Sequence, residues 1–150
     1  MKTNIEINSG LNSFLMLDCI LDVSDSRIIG TRSFSSVQPY LILESLAQLG
    51  AIHVRRLTDF SKHVFLMKIV RCFIPMKAGM DGECLLSGDL AGRSNSSFRY
   101  FLKAEKDGVT TARAELLYAA LEYDKKFKNE ILHDHYARVF SCLQRNSETG

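Results

Sequence analysis

The segment QPYLILESLAQLG (38–50), continued by AIHVRR to residue 56, limits what this chain can become more than any other stretch. Tyr40, Leu41, Ile42, Leu43, Leu46, Ala47, Leu49, Ala51, Ile52 and Val54 make a helix that is apolar on almost every side. Such a helix has to be wrapped by protein over most of its surface. Pro39 suits the first turn, having no N–H to leave unpaired, and Arg55 and Arg56 complement the dipole at the C-terminal end. In the middle stands Glu44. Burying it as an ion costs several kcal/mol unless it is paired or takes up a proton, so it either faces something wet or is kept for a purpose.

The wrapping has to come from strands. FLMLDCILDV (14–23) and RIIGTRSF (27–34) read as an antiparallel pair joined by the turn formers Ser24, Asp25 and Ser26. After the helix, VFLMKIVRCFIPM (64–76), ECLLSGDLAG (83–92), SSFRYFLKAEK (96–106) and VTTARAELLYAALEY (109–123) give four more. Asp107-Gly108 is a strong hairpin signal between the last two, and Thr110, Ala112, Ala114 and Leu116 share one face of the final strand. Two strands, a long apolar helix and four strands predict an α+β fold, one curved antiparallel sheet around the helix. An open sheet has edges to protect, and pairing with a second copy is the economical way to do it.

Outside residues 13–123 the chain is plainer. Residues 1–12 read as a polar tail. DKKFK (124–128) leads into an amphipathic helix over about 127–144, with Leu132, Tyr136, Val139, Phe140 and Leu143 at helical spacing, and NSETG reads as a frayed end. There are no repeats and no linker, so a single domain with an added C-terminal helix is expected.

Composition narrows the function classes. A net charge of +2 without a basic, aromatic-interleaved run argues against nucleic acid, and no stretch is long and apolar enough for a membrane span. MKTNIEINSG lacks the apolar run of a signal peptide, and Cys19, Cys72, Cys84 and Cys142 have no C-x-x-C spacing. A cytoplasmic protein with reduced thiols is the expectation, with no cofactor and no metal. His133-Asp134-His135 does not change this, because positions i and i+2 on a helix point apart.

Positions i, i+4 and i+8 fall on one helix stripe, which here holds Tyr40, Glu44 and Gln48. The Gln48 amide and the Tyr40 phenol can both donate to the carboxylate. One reading is a self-satisfied polar seam or a stripe at a subunit boundary. The other is a carboxylate on the wall of an apolar cavity, tuned for general acid or base work.

Four segments, in order, resemble the 3-hydroxyacyl-acyl-carrier-protein dehydratases, the FabZ/FabA family. SFLMLDCILDV (13–23) resembles their opening strand, and YLILESLAQLG their central helix. Arg71 to Pro75 followed by Gly79 resembles their Arg-Phe-x-x-Pro-x-x-Pro-Gly stretch, with Ala78 in place of the second proline. DGVTTARAELLYA (107–119) resembles their last hairpin strand. The resemblance implies the hotdog fold, at least a homodimer, and an acyl-thioester tunnel at the dimer interface, on acyl-carrier protein or coenzyme A.

By the same resemblance Glu44 matches the family's catalytic carboxylate and Gln48 the glutamine after it. Tyr40, Leu41, Gln48, Phe65, Leu66 and Met67 would line the substrate, with Ile69 also on the apolar wall. The family's loop histidine has no counterpart: SFSSVQPY (33–40) is shorter and holds none, and Tyr40 lies near the place of the helix-start glycine. His53 is nine residues from Glu44 and on the opposite side of the helix; His63, before the third strand, is the least implausible substitute.

The expectation is an acyl-thioester-binding protein in which dehydration is lost or weak. Two alternatives stay open: a thioester hydrolase using Glu44, and a dehydratase with an atypical partner. Arg55, Arg56, Lys68, Arg71 and Lys77 are either solvated charges or a surface for an acidic carrier protein or coenzyme phosphates.

Overall fold

A computed structural model describes residues 15–35, 39–74, 81–123 and 129–148, the side chains of 129–132 excepted. The expected tail at 1–12, the joint at 124–128 and residues Pro75 to Gly79 lie outside the described residues, as does the Leu132 side chain. Six strands and two helices follow in the order β1 (Cys19–Val23), β2 (Arg27–Phe34), α1 (Pro39–Leu57), β3 (Lys62–Phe73), β4 (Gly82–Arg93), β5 (Ser97–Lys106), β6 (Val109–Glu122) and α2 (Asn129–Glu148). The strands form one antiparallel sheet in the order β1-β2-β4-β5-β6-β3, and α1 packs against β2, β3, β4, β5 and β6. This is the hotdog fold, with a C-terminal helix added.

Alternation along the strands decides which side meets the helix. Tyr100, Leu102, Ala104, Ala114, Leu116 and Tyr118 are buried and face Ile42, Leu46, Leu49, Ile52 and Val54 of α1. Each fully buried leucine or isoleucine contributes about 1.5–3 kcal/mol relative to an exposed one. The β5–β6 hairpin turns on Asp107 (φ 51°) and Gly108 (φ 79°), two successive left-handed residues, as the Asp-Gly pair requires. At its other end α1 stops where Asp59 and Phe60 turn left-handed; the Phe60 N–H donates to the Arg55 carbonyl at 2.7 Å. Phe60 is held there against the rings of His133 and Phe140.

Three boundaries differ from the sequence expectation. The first strand begins only at Cys19; Leu15–Asp18 run beside the sheet, with the Asp18 N–H bonded to the Thr31 carbonyl. Val64–Phe73 is extended as expected, but β3 starts two residues earlier, at Lys62, and ends at Phe73. The supposed frayed end is helical to Glu148, and Asn146 is buried, its amide donating to the Asp18 carbonyl at 3.1 Å. Val139, Phe140 and Leu143 are buried, and α2 packs on β1 and α1. No described helix is long and apolar enough to cross a membrane.

The two edges of the sheet are unlike. β1 is five residues long and carries α2 against it. β3 is twelve residues long and leaves Phe65, Leu66, Met67, Ile69, Val70 and Phe73 exposed.

Candidate functional site

The sheet does not enclose α1 completely. One stripe of the helix stays open at its N-terminal end, where Tyr40 (66% exposed) and Glu44 are exposed, while Ala47, Gln48, Ala51 and Arg55 further along are partly buried. Glu44 is therefore exposed within one chain. The Gln48 amide donates to the Glu44 carboxylate at 3.1 Å, while the Gln48 carbonyl accepts the Met16 N–H at 2.8 Å. Anchoring the carbonyl fixes which way the amide points, so the carboxylate is presented by a side chain that is itself positioned. Among the described residues Tyr40 makes no hydrogen bond to Glu44, and the expected three-member seam is a pair. Leu41 is partly buried beside it.

Beneath the stripe lies a buried polar support. Tyr118 on β6 donates its hydroxyl to the Ala47 carbonyl at 2.8 Å and stands edge-on to Tyr100 at 5.5 Å between centroids. Burial, then the neighbouring Tyr100 and Glu44, push the Tyr118 phenol well above its ordinary value, so it stays a donor. Tyr100 in turn bonds His53 Nδ1 at 2.6 Å, and His53 Nε2 meets the Ser24 carbonyl at 2.7 Å. A carbonyl can only accept, so Nε2 carries the proton and neutral Nδ1 accepts from Tyr100. His53 is on the opposite side of α1 from Glu44, as the spacing predicts, and is occupied.

The other histidines do not join Glu44 either. His63, expected just before the third strand, lies within β3, its ring tilted against those of Phe65 and Tyr123 at 5.7 and 6.1 Å between centroids. His133 and His135 belong to α2, where His133 meets Asp134 at 3.3 Å and His135 lies edge-on to Tyr136. Among the described residues no cluster of side chains is suited to a metal ion.

Arg55 departs from its expected place. It is not a solvated end charge: its guanidinium donates to the Val64 carbonyl at 3.0 Å and lies 4.1 Å over the Tyr136 ring of α2. Among the described residues no carboxylate pairs with it. Its Nε and the Tyr123 hydroxyl are both shut off from solvent without a hydrogen-bond partner. Burial lowers the guanidinium's pKa, and the surrounding Tyr136, Tyr123 and Tyr118 pull the other way. Of the other basic residues, Arg56 approaches Asp25 at 3.9 Å, Arg71 pairs with Glu115, Lys68 is exposed and Lys77 lies outside the described residues.

Phe65, Leu66 and Met67, expected to line the substrate, lie exposed on the bare β3 edge. A groove of about 530 Å³ opens on the other face of the sheet, among Arg71, Phe73, Asp89, Phe101, Arg113 and Glu115. Glu115 is buried there between Arg71 (2.7 Å) and Arg99. Burial would raise its pKa, but the two guanidinium hydrogen bonds outweigh that and hold it below the usual range. Asp89 likewise approaches Arg27 at 3.5 Å, and the free thiol of Cys72 also lines the groove.

No protein-family model and no curated protein matches the chain. Solved structures do. A mutant thioesterase of Pseudomonas aeruginosa is similar with a TM-score of 0.62 at 12% identity, over 73% of this chain and 84% of its own. A thioesterase of Haemophilus influenzae gives 0.61 at 10%, over 72% and 80%. A hypothetical thioesterase of Streptococcus pneumoniae, solved with coenzyme A, gives 0.59 at 10%, over 71% and 87%. Likeness at this level of identity establishes the hotdog fold. The dehydratase family within that fold receives no support from it.

Proposed function

We propose that the chain binds acyl thioesters and hydrolyses them, with Glu44 as the catalytic carboxylate. The observation that carries this reading is the Met16–Gln48–Glu44 chain of hydrogen bonds, which aims a carboxylate from the open stripe of α1. The thioesterase relatives, one of them with coenzyme A, favour hydrolysis over the dehydratase the sequence resembles. Dehydration calls for an acid and a base on neighbouring carbons, and no described histidine stands on the Glu44 stripe. Hydrolysis needs one base. Glu44 takes a proton from water as the water oxygen adds to the thioester carbonyl; the C–S bond then breaks and the thiol leaves protonated. Coenzyme A is the favoured carrier, with acyl-carrier protein as the alternative.

A second copy belongs to the proposal, because β3 is a long apolar edge beside the open stripe and its pairing would close the trough into a tunnel. The deciding experiment follows free thiol and loss of water from a panel of acyl and 3-hydroxyacyl thioesters. Thiol release that drops by about 10²–10⁴ in Glu44→Gln, with thioester binding kept, is the expected result. Water loss dependent on Glu44 would overturn hydrolysis in favour of a lyase. Binding with neither product would leave a carrier or sensor.

A further inference from the structure

β1 pairs with β2 only as far as Cys19 opposite Thr31, and among the described residues β2 has no strand on that side beyond it. The segment Leu15–Asp18 takes over. The Asp18 N–H donates to the Thr31 carbonyl at 2.8 Å, and the Asp18 carboxylate accepts the Ser33 N–H at 2.7 Å. Thr31 and Ser33 are two residues apart on an extended strand, so their backbone groups face the same way and one aspartate serves both. The other carboxylate oxygen meets the Arg32 guanidinium at 3.3 Å. On its remaining side the Asp18 carbonyl accepts the amide of Asn146, buried at the end of α2, at 3.1 Å. Asp18 thus fixes the register of this strap with its N–H, its carbonyl and both carboxylate oxygens.

Two residues earlier the strap reaches α1. Met16 and Leu17 are buried, and the Met16 N–H donates to the Gln48 carbonyl at 2.8 Å while the Gln48 amide donates to Glu44 at 3.1 Å. A primary amide has a donor end and an acceptor end that change places by a half-turn. Turned round, Gln48 would set its oxygen against the Glu44 carboxylate, acceptor against acceptor. The Met16 N–H prevents this only while it points at α1. In an extended chain a slip of one residue sends each backbone N–H to the opposite side, so the orientation of Gln48 depends on the register that Asp18 sets.

We propose that Asp18 is a positioning residue for Glu44, acting through Met16 and Gln48, and that its bond to Asn146 makes the C-terminal helix part of that support. Resting on the hydrolase reading above, this gives α2 a part in the chemistry without any contact to the substrate. The strap is the junction: it is bonded to β2 and to α2 at Asp18, and to α1 at Met16.

The test uses the full chain and two readouts, hydrogen exchange at the Met16 amide and thiol release from the acyl-coenzyme A panel. In Asp18→Ala, Met16 exchange should rise about tenfold more than exchange of the β5 and β6 ladder amides, the loss of roughly one hydrogen bond. The value of kcat should fall by about three- to tenfold, with KM nearly unchanged. Asp18→Asn keeps an acceptor for the Ser33 N–H and both backbone bonds, and should recover most of the loss. Asn146→Leu should move both readouts the same way, to a smaller extent. In a Gln48→Leu background, Asp18→Ala should still lower the melting temperature yet leave kcat where Gln48→Leu put it, whereas a general loosening would lower kcat in both backgrounds. Met16 exchange that tracks the ladder amides, or a fall in kcat of equal size with and without Gln48, overturns the inference and leaves the hydrolase reading standing. A wild type that releases no thiol removes that reading instead, and the tie from Asp18 to Gln48 then stands or falls on Met16 exchange alone.

Discussion

His53 shows what one side chain buried in this core commits the molecule to. It is fully buried, and burial first, then Arg56, lower its pKa, against the Ser24 hydrogen bond and Asp25, which raise it. The unfolded chain takes up a proton near the ordinary value of about 6.5, while the folded chain resists until lower pH. Below about pH 6.5 the unfolded state therefore holds more protons, and stability falls as pH falls toward the folded value; above pH 6.5 the contribution is complete. Urea midpoints should drop between pH 7.5 and 5.5, and His53→Gln should flatten that slope. His135 is shifted the same way by burial and remains in the variant, so the difference in slopes belongs to His53. The helical spacing makes the side of α1 that His53 occupies legible, but not its partners, because Tyr100 lies 47 residues away in sequence. Arg55 is the sharper case. An arginine near a helix C-terminus reads as a solvated charge, and only the arrival of Tyr136 from α2 turns it into an enclosed one.

Among the elements, α1 was legible almost to the residue, because an unbroken apolar run between Pro39 and two arginines admits few alternatives. Its least tolerant position is Gly50. A Cβ there would stand 2.3 Å from the Tyr118 hydroxyl and 2.7 Å from its ring carbon, and Tyr118 is fully buried with nowhere to retreat. Gly50→Ala gains up to about 1 kcal/mol of helix propensity, yet overpacking costs about 1–3 kcal/mol and the Ala47 hydrogen bond goes with it. A lowered melting temperature is expected, where a solvent-facing helix glycine would give a raised one. β1 was overextended from sequence because Leu15, Met16 and Leu17 are apolar; they serve the core without joining the ladder, and Met16 instead gives its N–H to Gln48. The end of α2 was misread for the opposite reason. Asn146 looks like the start of a polar tail, and its buried bond to Asp18 spans 128 residues of sequence.

At the scale of the whole molecule, the edge argument made from sequence lands on one strand. β3 presents apolar side chains and an unpaired ladder edge along twelve residues, and a two-fold pairing of β3 with its copy would extend the sheet across both subunits. Size-exclusion chromatography with light scattering should report a dimer for the wild type. Val70→Lys, which puts a further charge on that edge, should report a monomer, and its melting temperature should lose its dependence on protein concentration. A wild-type monomer at micromolar concentration would remove the tunnel roof from the functional proposal. The inequality of the two edges carries a consequence for growth. A sheet open at both ends is a polymer in waiting, since every addition exposes a fresh end. This one has α2 packed against its short β1 end, so on the proposed β3 pairing a subunit would recruit one neighbour and then run out of ends. The helix added after the last strand is in effect a chain terminator for assembly, and trimming it should convert a self-limiting pair into fibres.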